Sequence, residues 1–352
     1  MRDVAVVAFA CSTAARETER SEVEILAPVV REAMAQAGLS VQETGFVCSG
    51  SSDYLAGQPF SFVMALDAIG IWPPKMESHV EMDGAWALYE AWVRLQHGDI
   101  DSALVYAFGK SSLSSIHEVL TLQLDPYYLA PLGADAISLA ALQARALLEG
   151  SQYTEADMAE VAARSRRDAR SNPMAQVTGD ASAEELLAQP YTVSPLREHD
   201  CPPVSDGAAA VVLAAGETAK RLCERPAWIR GIDHRVEPQA LGVRDLTESS
   251  STLLAAQRAG VFERPVDVAE LHAPFTHQEL ILRDALGLNG GTRINPSGGA
   301  LVADPVMVTG LIRIGEAAGR IMGGTAKRAV AHATAGPCLQ QNLVCVLEAS
   351  DG

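Results

Sequence analysis

The chain has 352 residues, enough for two core-bearing units, and its 48% hydrophobic and 20% charged residues are an ordinary globular balance. A net charge of −17 with no long basic stripe against it excludes a nucleic-acid binder, so any polyanionic ligand must meet a local basic patch. The six cysteines (11, 48, 201, 223, 338 and 345) form no C-x-x-C and no zinc spacing, so reduced, mostly buried thiols of a cytoplasmic protein are expected, and no metal site. The opening "MRDVAVVAFA" is too short an apolar run for a signal peptide, and no stretch reaches the length of a membrane span.

In chain order, "DVAVVAFA" is the first expected strand, a short apolar run. The spacing of Leu26, Val29, Val30, Ala33, Met34 and Ala37 predicts a helix stopped by Gly38. "SSDYLAGQPFSF" follows as a loop carrying Tyr54. Then comes "HVEMDGAWALYEAW" (79–92), where Glu81 and Asp83 stand just ahead of an apolar helix. The positive end of a helix is a natural seat for an anion or a nucleophile. "SALVYAFG" is the next strand.

Residues 111–200 read as helices with Pro-rich loops and carry Arg164, Arg166, Arg167 and Arg170. Such a cluster is either a solvated helix face or, in so acidic a chain, the place where a phosphate is met. Beyond it "AAAVVLAA" and "NLVCVLEA" are further strands. "NPSGGA" (295–300) offers tight turns and close backbone approach through Ser297, Gly298 and Gly299.

The chain also repeats itself. Glu90, Arg94, Gly98 and Ala103 fall on Glu316, Arg320, Gly324 and Ala329, each 226 positions later, and Gly84 falls on Gly310. Gly38 falls on Gly260, 222 positions later. Two α/β halves are therefore expected. The divisions are 1–110 for the first half, 111–200 for an inserted domain, 201–220 for a return strand of the first half, and 221–352 for the second half.

"CPPVSDGAAAVVLA", "ELHAPFTHQELILRDALGL", "RINPSGGALVADP" and "CLQQNLVCVLE" occur in this order. Together they resemble the thiolase superfamily, in its sterol-carrier-protein-thiolase-like or lipid-transfer branch, near the steroid side-chain aldolases that lack the thiolase cysteine. The resemblance implies a five-layered α-β-α-β-α fold of two duplicated halves, with an inserted helical loop domain that helps to bind coenzyme A. Arg164 and Arg167 are candidates for that contact, with Ser297, Gly298 and Gly299. It also implies a homodimer, or a heterodimer with a thiolase-like paralogue.

A thiolase needs a cysteine three residues before the helix glycine. Counting from Gly84, that place holds Glu81, so no sulfur is there to form an acyl-enzyme. The family's Gly-His-Pro has Asp304 before Pro305 instead, and the C-terminal Cys-x-Gly has no match. "HAPF" keeps His272 and Phe275 of the branch's His-Asp-Cys-Phe motif, whose histidine serves the oxyanion hole. In "LQQN", Gln341 replaces a histidine.

What this leaves is coenzyme A binding and stabilisation of a thioester enolate, which suit retro-aldol cleavage of a β-hydroxyacyl-CoA with a bulky, sterol-type side chain. No tightly bound cofactor is expected; coenzyme A enters as part of the substrate. The resemblance further implies a small OB-fold partner protein. Glu81 and Asp304 are the candidate bases, with helix-terminus anion and turn residue as their respective alternatives. Tyr54 and His332 are lesser candidates. A non-catalytic subunit of a heteromeric complex and a lipid-binding or transfer protein are the competing functions.

Overall fold

The computed structural model describes residues 2–350 other than 18, 74 and 289. Its strands are β1 Val4–Cys11, β2 Phe46–Gly50, β3 Glu77–Val80, β4 Ser102–Lys110, β5 Tyr191–Val193, β6 Leu196–Arg197, β7 Asp206–Ala215, β8 Ala227–Val236, β9 Val268–Leu271, β10 Arg293–Ile294, β11 Arg328–Ala335 and β12 Gln341–Glu348. Its helices are α1 Glu22–Ala37, α2 Asp53–Ala56, α3 Val63–Ile69, α4 Gly84–Gln96, α5 Ile116–Thr121, α6 Ala136–Gly150, α7 Glu155–Asp168, α8 Ala183–Leu187, α9 Gly216–Leu222, α10 Ser250–Ala259, α11 Thr276–Ala285 and α12 Thr309–Met322.

Local chemistry sets these boundaries. Ser21 and Glu24 close a capping box at the start of α1, and Gly38 ends it at φ 63°. Its buried residues include all six picked out by spacing alone.

The strands run in the order β10-β9-β11-β12-β8-β1-β7-β4-β2-β3. Read outward from the centre, β1-β7-β4-β2-β3 and β8-β12-β11-β9-β10 have the same layout. Within the sheet they join where Ala5 and Val6 pair with Trp228 and Ala227. In each half the outer pairings, β2 with β3 and β4, and β9 with β10 and β11, are parallel.

Alternation along the strands builds the layers. In β4, Ala103, Val105 and Ala107 face a core that also holds α4 and α12, while Leu104, Tyr106 and Phe108 face one built on α1. In β12, Leu343, Cys345 and Leu347 join the α4–α12 core, and Val344 and Val346 join one built on α10 and α11. Helix, sheet, helix pair, sheet and helix follow in order, which is the five-layered architecture. The middle helices are the most deeply enclosed. Removing a side chain such as Leu88, which is wholly buried on α4, is expected to cost about 2–5 kcal/mol.

Candidate active site

The N-termini of α4 and α12 come together inside the molecule, and Asp83 joins them. As the N-cap of α4 it accepts from the Ala85 amide at 2.8 Å, and it also accepts from Gly310 N at 2.9 Å and Leu311 N at 3.1 Å. Gly310 has to be glycine for this, since a Cβ there would lie 2.4 Å from Asp83 Oδ1. Burial pushes the Asp83 carboxyl up from the usual carboxylate range. The facing His272 and the three amides pull the other way.

Beside Asp83 lies a cavity of about 200 Å³. Its polar floor holds Asp83, His272, Asp304 and Thr334. Its walls include Ile116, Leu120, Leu124, Ile137, Leu139 and Phe275. His272 follows β9, and its Nδ1 accepts from the Thr334 amide at 3.4 Å. A backbone amide can only donate, so the imidazole proton sits on Nε2. That nitrogen lies 3.3 Å from Asp304 Oδ1, but off the line of a hydrogen bond. Asp304 Oδ1 is therefore buried with no hydrogen-bond partner among the described residues. The Asp304 backbone is held by its amide donating to Ser205 Oγ at 3.1 Å.

The remaining residues named from the sequence lie outside the cavity lining. The Glu81 side chain is 44% exposed, accepts from the Asp53 amide at 2.7 Å and lies 3.4 Å from His79 Nε2. The helix starts only at Gly84, so the capping position belongs to Asp83. A lead of three residues carries Glu81 out to the surface. Tyr54, on α2, is 56% exposed. His332 is buried in β11, where its Nε2 donates to Asn342 Oδ1 at 3.0 Å, and burial holds its pKa at about 3.

Arg164 grips the buried Glu279 with two bonds of 2.7 and 2.5 Å. Arg167 is exposed and makes no ion pair among the described residues. Ser297 donates to Glu270 at 2.6 Å, and Arg313 donates to both Ser297 and Glu270. Gly298 and Gly299, at φ 97° and 70°, shape a turn whose Gly298 carbonyl accepts from Ser165 Oγ on α7. The "NPSGGA" loop thus clamps the inserted segment onto the second half.

The structure adds residues that were not among the candidate site residues. His117, on α5, lines the cavity and has no hydrogen-bond partner for its Nδ1 among the described residues. Cys201 and Cys338 also line it. Burial pushes their thiols up to about 12 and about 11, so neither offers a thiolate near neutral pH. Arg244 donates to the Pro337 and Cys338 carbonyls at 3.1 and 3.2 Å, beside the cavity-lining stretch 336–339, and has no carboxylate partner among the described residues. The signal for His117 and Arg244 is spatial only, since both lie in segments without a recognisable pattern.

No family model matches the chain. An acetyl-CoA acetyltransferase of Methanothermobacter thermautotrophicus is 27% identical over 240 residues, 60% of this chain and 61% of that protein. Sterol carrier protein 2 of Gallus gallus is 29% identical over 209 residues, 49% of this chain and 38% of that protein. The matched region thus spans about three fifths of the first relative and under two fifths of the second. Among solved structures, a chain of the Ltp2-ChsH2(DUF35) aldolase superposes with a TM-score of 0.83 at 21% identity, covering 99% of this chain and 98% of that one. Human mitochondrial 3-ketoacyl-CoA thiolase gives 0.78 at 16% identity, with 99% of each chain covered. The fold is the thiolase fold, and the chain has homologues in the thiolase superfamily, sterol carrier proteins among them. No described helix is long and apolar enough to cross a membrane.

Proposed function

We propose that this chain is a carbon–carbon lyase that cleaves β-hydroxyacyl-CoA thioesters by retro-aldol chemistry, with no cysteine acyl-enzyme. The observation that carries this reading is the His272–Asp304 pair on the floor of an apolar cavity, with Asp304 Oδ1 buried and unpartnered. A buried acceptor left open costs about 1–3 kcal/mol, and a substrate hydroxyl in the cavity would satisfy it.

Asp304 takes the proton of the β-hydroxyl. The Cα–Cβ bond breaks, its electron pair passes into the thioester enolate, and an aldehyde or ketone leaves. The Nε2–H of His272 faces the same space and holds the enolate oxygen, a contribution of about 3–4 kcal/mol for a single well-placed donor. Protonation at Cα releases the shorter acyl-CoA. The amides at the two helix N-termini, which could otherwise meet an oxyanion, are already taken up by Asp83. Charge stabilisation therefore falls to His272.

Coenzyme A enters with the substrate. Arg244, beside the cavity lining and without a carboxylate partner among the described residues, is one cation for its phosphates, and Arg167 is a second. The solved aldolase with the same fold carries a name that joins two components, which supports testing a small OB-fold partner. A dimer, with itself or with a paralogue, belongs to the same proposal.

The test is steady-state release of carbonyl product and shorter acyl-CoA from a β-hydroxyacyl-CoA, with the chain alone and with such a partner. Asp304→Asn is expected to lower kcat by roughly 10²–10⁴-fold, the usual worth of a general base. His272→Ala is expected to lower it by roughly 10²–10³-fold, and Glu81→Gln by less than about two-fold. Full activity in Asp304→Asn would sink the mechanism.

A further inference from the structure

The cavity above His272 and Asp304 is small. Its volume of about 200 Å³ compares with about 150 Å³ for an engineered protein cavity that takes up one benzene molecule. The difference of about 50 Å³ is less than two water molecules occupy in the liquid. One six-membered ring, the β-carbon and its hydroxyl oxygen fill the space, and the rest of the thioester leads out through the open side of the cavity. A fused four-ring nucleus, with roughly three times the ring carbons of benzene, exceeds it.

The walls say which part of a thioester lies there. Ile116, Leu120, Leu124, Ile137, Leu139 and Phe275 present hydrocarbon, and Ser111, His117, Gln123 and Gln278 are the polar side chains among them. Leu124 and Leu139 are themselves packed into a cluster with Cys338 that Leu129 and Leu241 support from behind. Against the hydrocarbon part of these walls each amide of a pantetheine arm would go unbonded, at about 1–3 kcal/mol, whereas an apolar substituent matches it. The thioester oxygen and the β-hydroxyl belong on the His272–Asp304 floor, and the β-substituent belongs among the leucines and isoleucines.

We infer that the chamber selects β-hydroxyacyl-CoA substrates whose β-substituent is a single ring, aromatic or alicyclic, and excludes fused polycyclic ones. This replaces the sterol-sized substituent that the resemblance implied. The inference rests on the retro-aldolase reading for turnover, and on cavity size and wall chemistry for binding. With a phenyl substituent, the hydroxyl O–H and the Cα–Cβ bond break. The C=O of benzaldehyde and a Cα–H of acetyl-CoA form, the proton passes from oxygen to carbon, and nothing is oxidised or reduced.

The experiment measures affinity of the purified chain, by calorimetry, for 3-hydroxy-3-phenylpropanoyl-CoA and for a β-hydroxyacyl-CoA bearing a fused four-ring substituent. Benzaldehyde release is followed in parallel. The phenyl thioester is expected to bind at least ten-fold more tightly. Leu120→Ala and Ile137→Ala, each of which removes three carbons from the wall, are expected to shrink that ratio at least three-fold. Equal binding, or tighter binding of the fused-ring thioester, overturns the inference, as does failure of both to bind. Tight, ring-selective binding with no benzaldehyde either from the chain alone or beside an OB-fold partner upholds the size selection and overturns the retro-aldolase reading instead.

Discussion

Asp83 and Asp304 line the same cavity, and their hydrogen bonds divide the work between them. Asp83 accepts three backbone amides and has no oxygen to spare, whereas Asp304 keeps Oδ1 open. His272 and Asp304 were legible in the sequence because "HAPF" and "ADP" are local strings. The duty of Asp83 was not, since it depends on an amide 227 residues away. The cysteines give a check at this scale. With their thiols at about 12 and about 11, Cys201 and Cys338 stay protonated at pH 7.5. Iodoacetamide is expected to leave turnover within about two-fold of the untreated protein over an hour, because thiolate and not thiol is the nucleophile. Rapid inactivation that Cys201→Ser or Cys338→Ser abolishes would show a reactive thiol in the site.

At the scale of elements, the pair α4 and α12 organises the site. Their equivalence was readable as a 226-residue offset, because helix starts and glycines keep their spacing through a duplication. The apolar cavity walls were not readable, because α5 and α6 of the inserted segment have no counterpart in the repeat. Asp83→Ala leaves three buried amides without their acceptor and is expected to cost about 2–5 kcal/mol in urea unfolding. Asp83→Asn, which keeps one acceptor oxygen, is expected to cost less. Equal stability of Asp83→Ala and the parent would mean that the helix pair does not depend on this carboxylate.

The whole molecule encloses two histidines that it keeps neutral. Burial lowers both His277 and His332 to about 3, and each leaves its Nδ1 without a partner among the described residues. The unfolded chain takes up protons at these positions below about pH 6.5 and the folded chain does not, so their stabilising contribution is complete above 6.5 and is lost as pH falls toward 3. Glu270, which burial raises to about 7, acts with the opposite sign between about 4.5 and 7. Comparing a variant with its parent isolates one histidine. The loss of unfolding free energy between pH 7.5 and 5 is expected to be about 2 kcal/mol smaller in His277→Gln. An unchanged difference would contradict a neutral His277. The two α/β halves were readable from the repeat and the layered architecture from the family resemblance, whereas the enclosed histidines acquire their character only from what surrounds them. Finally, the cavity floor is drawn from both halves, Asp83 from the first and His272 and Asp304 from the second. Neither half on its own holds the whole floor, so a chain severed between them is expected to lose the cavity until the two pieces re-associate. The internal repeat thus places this cavity at the seam between its two halves.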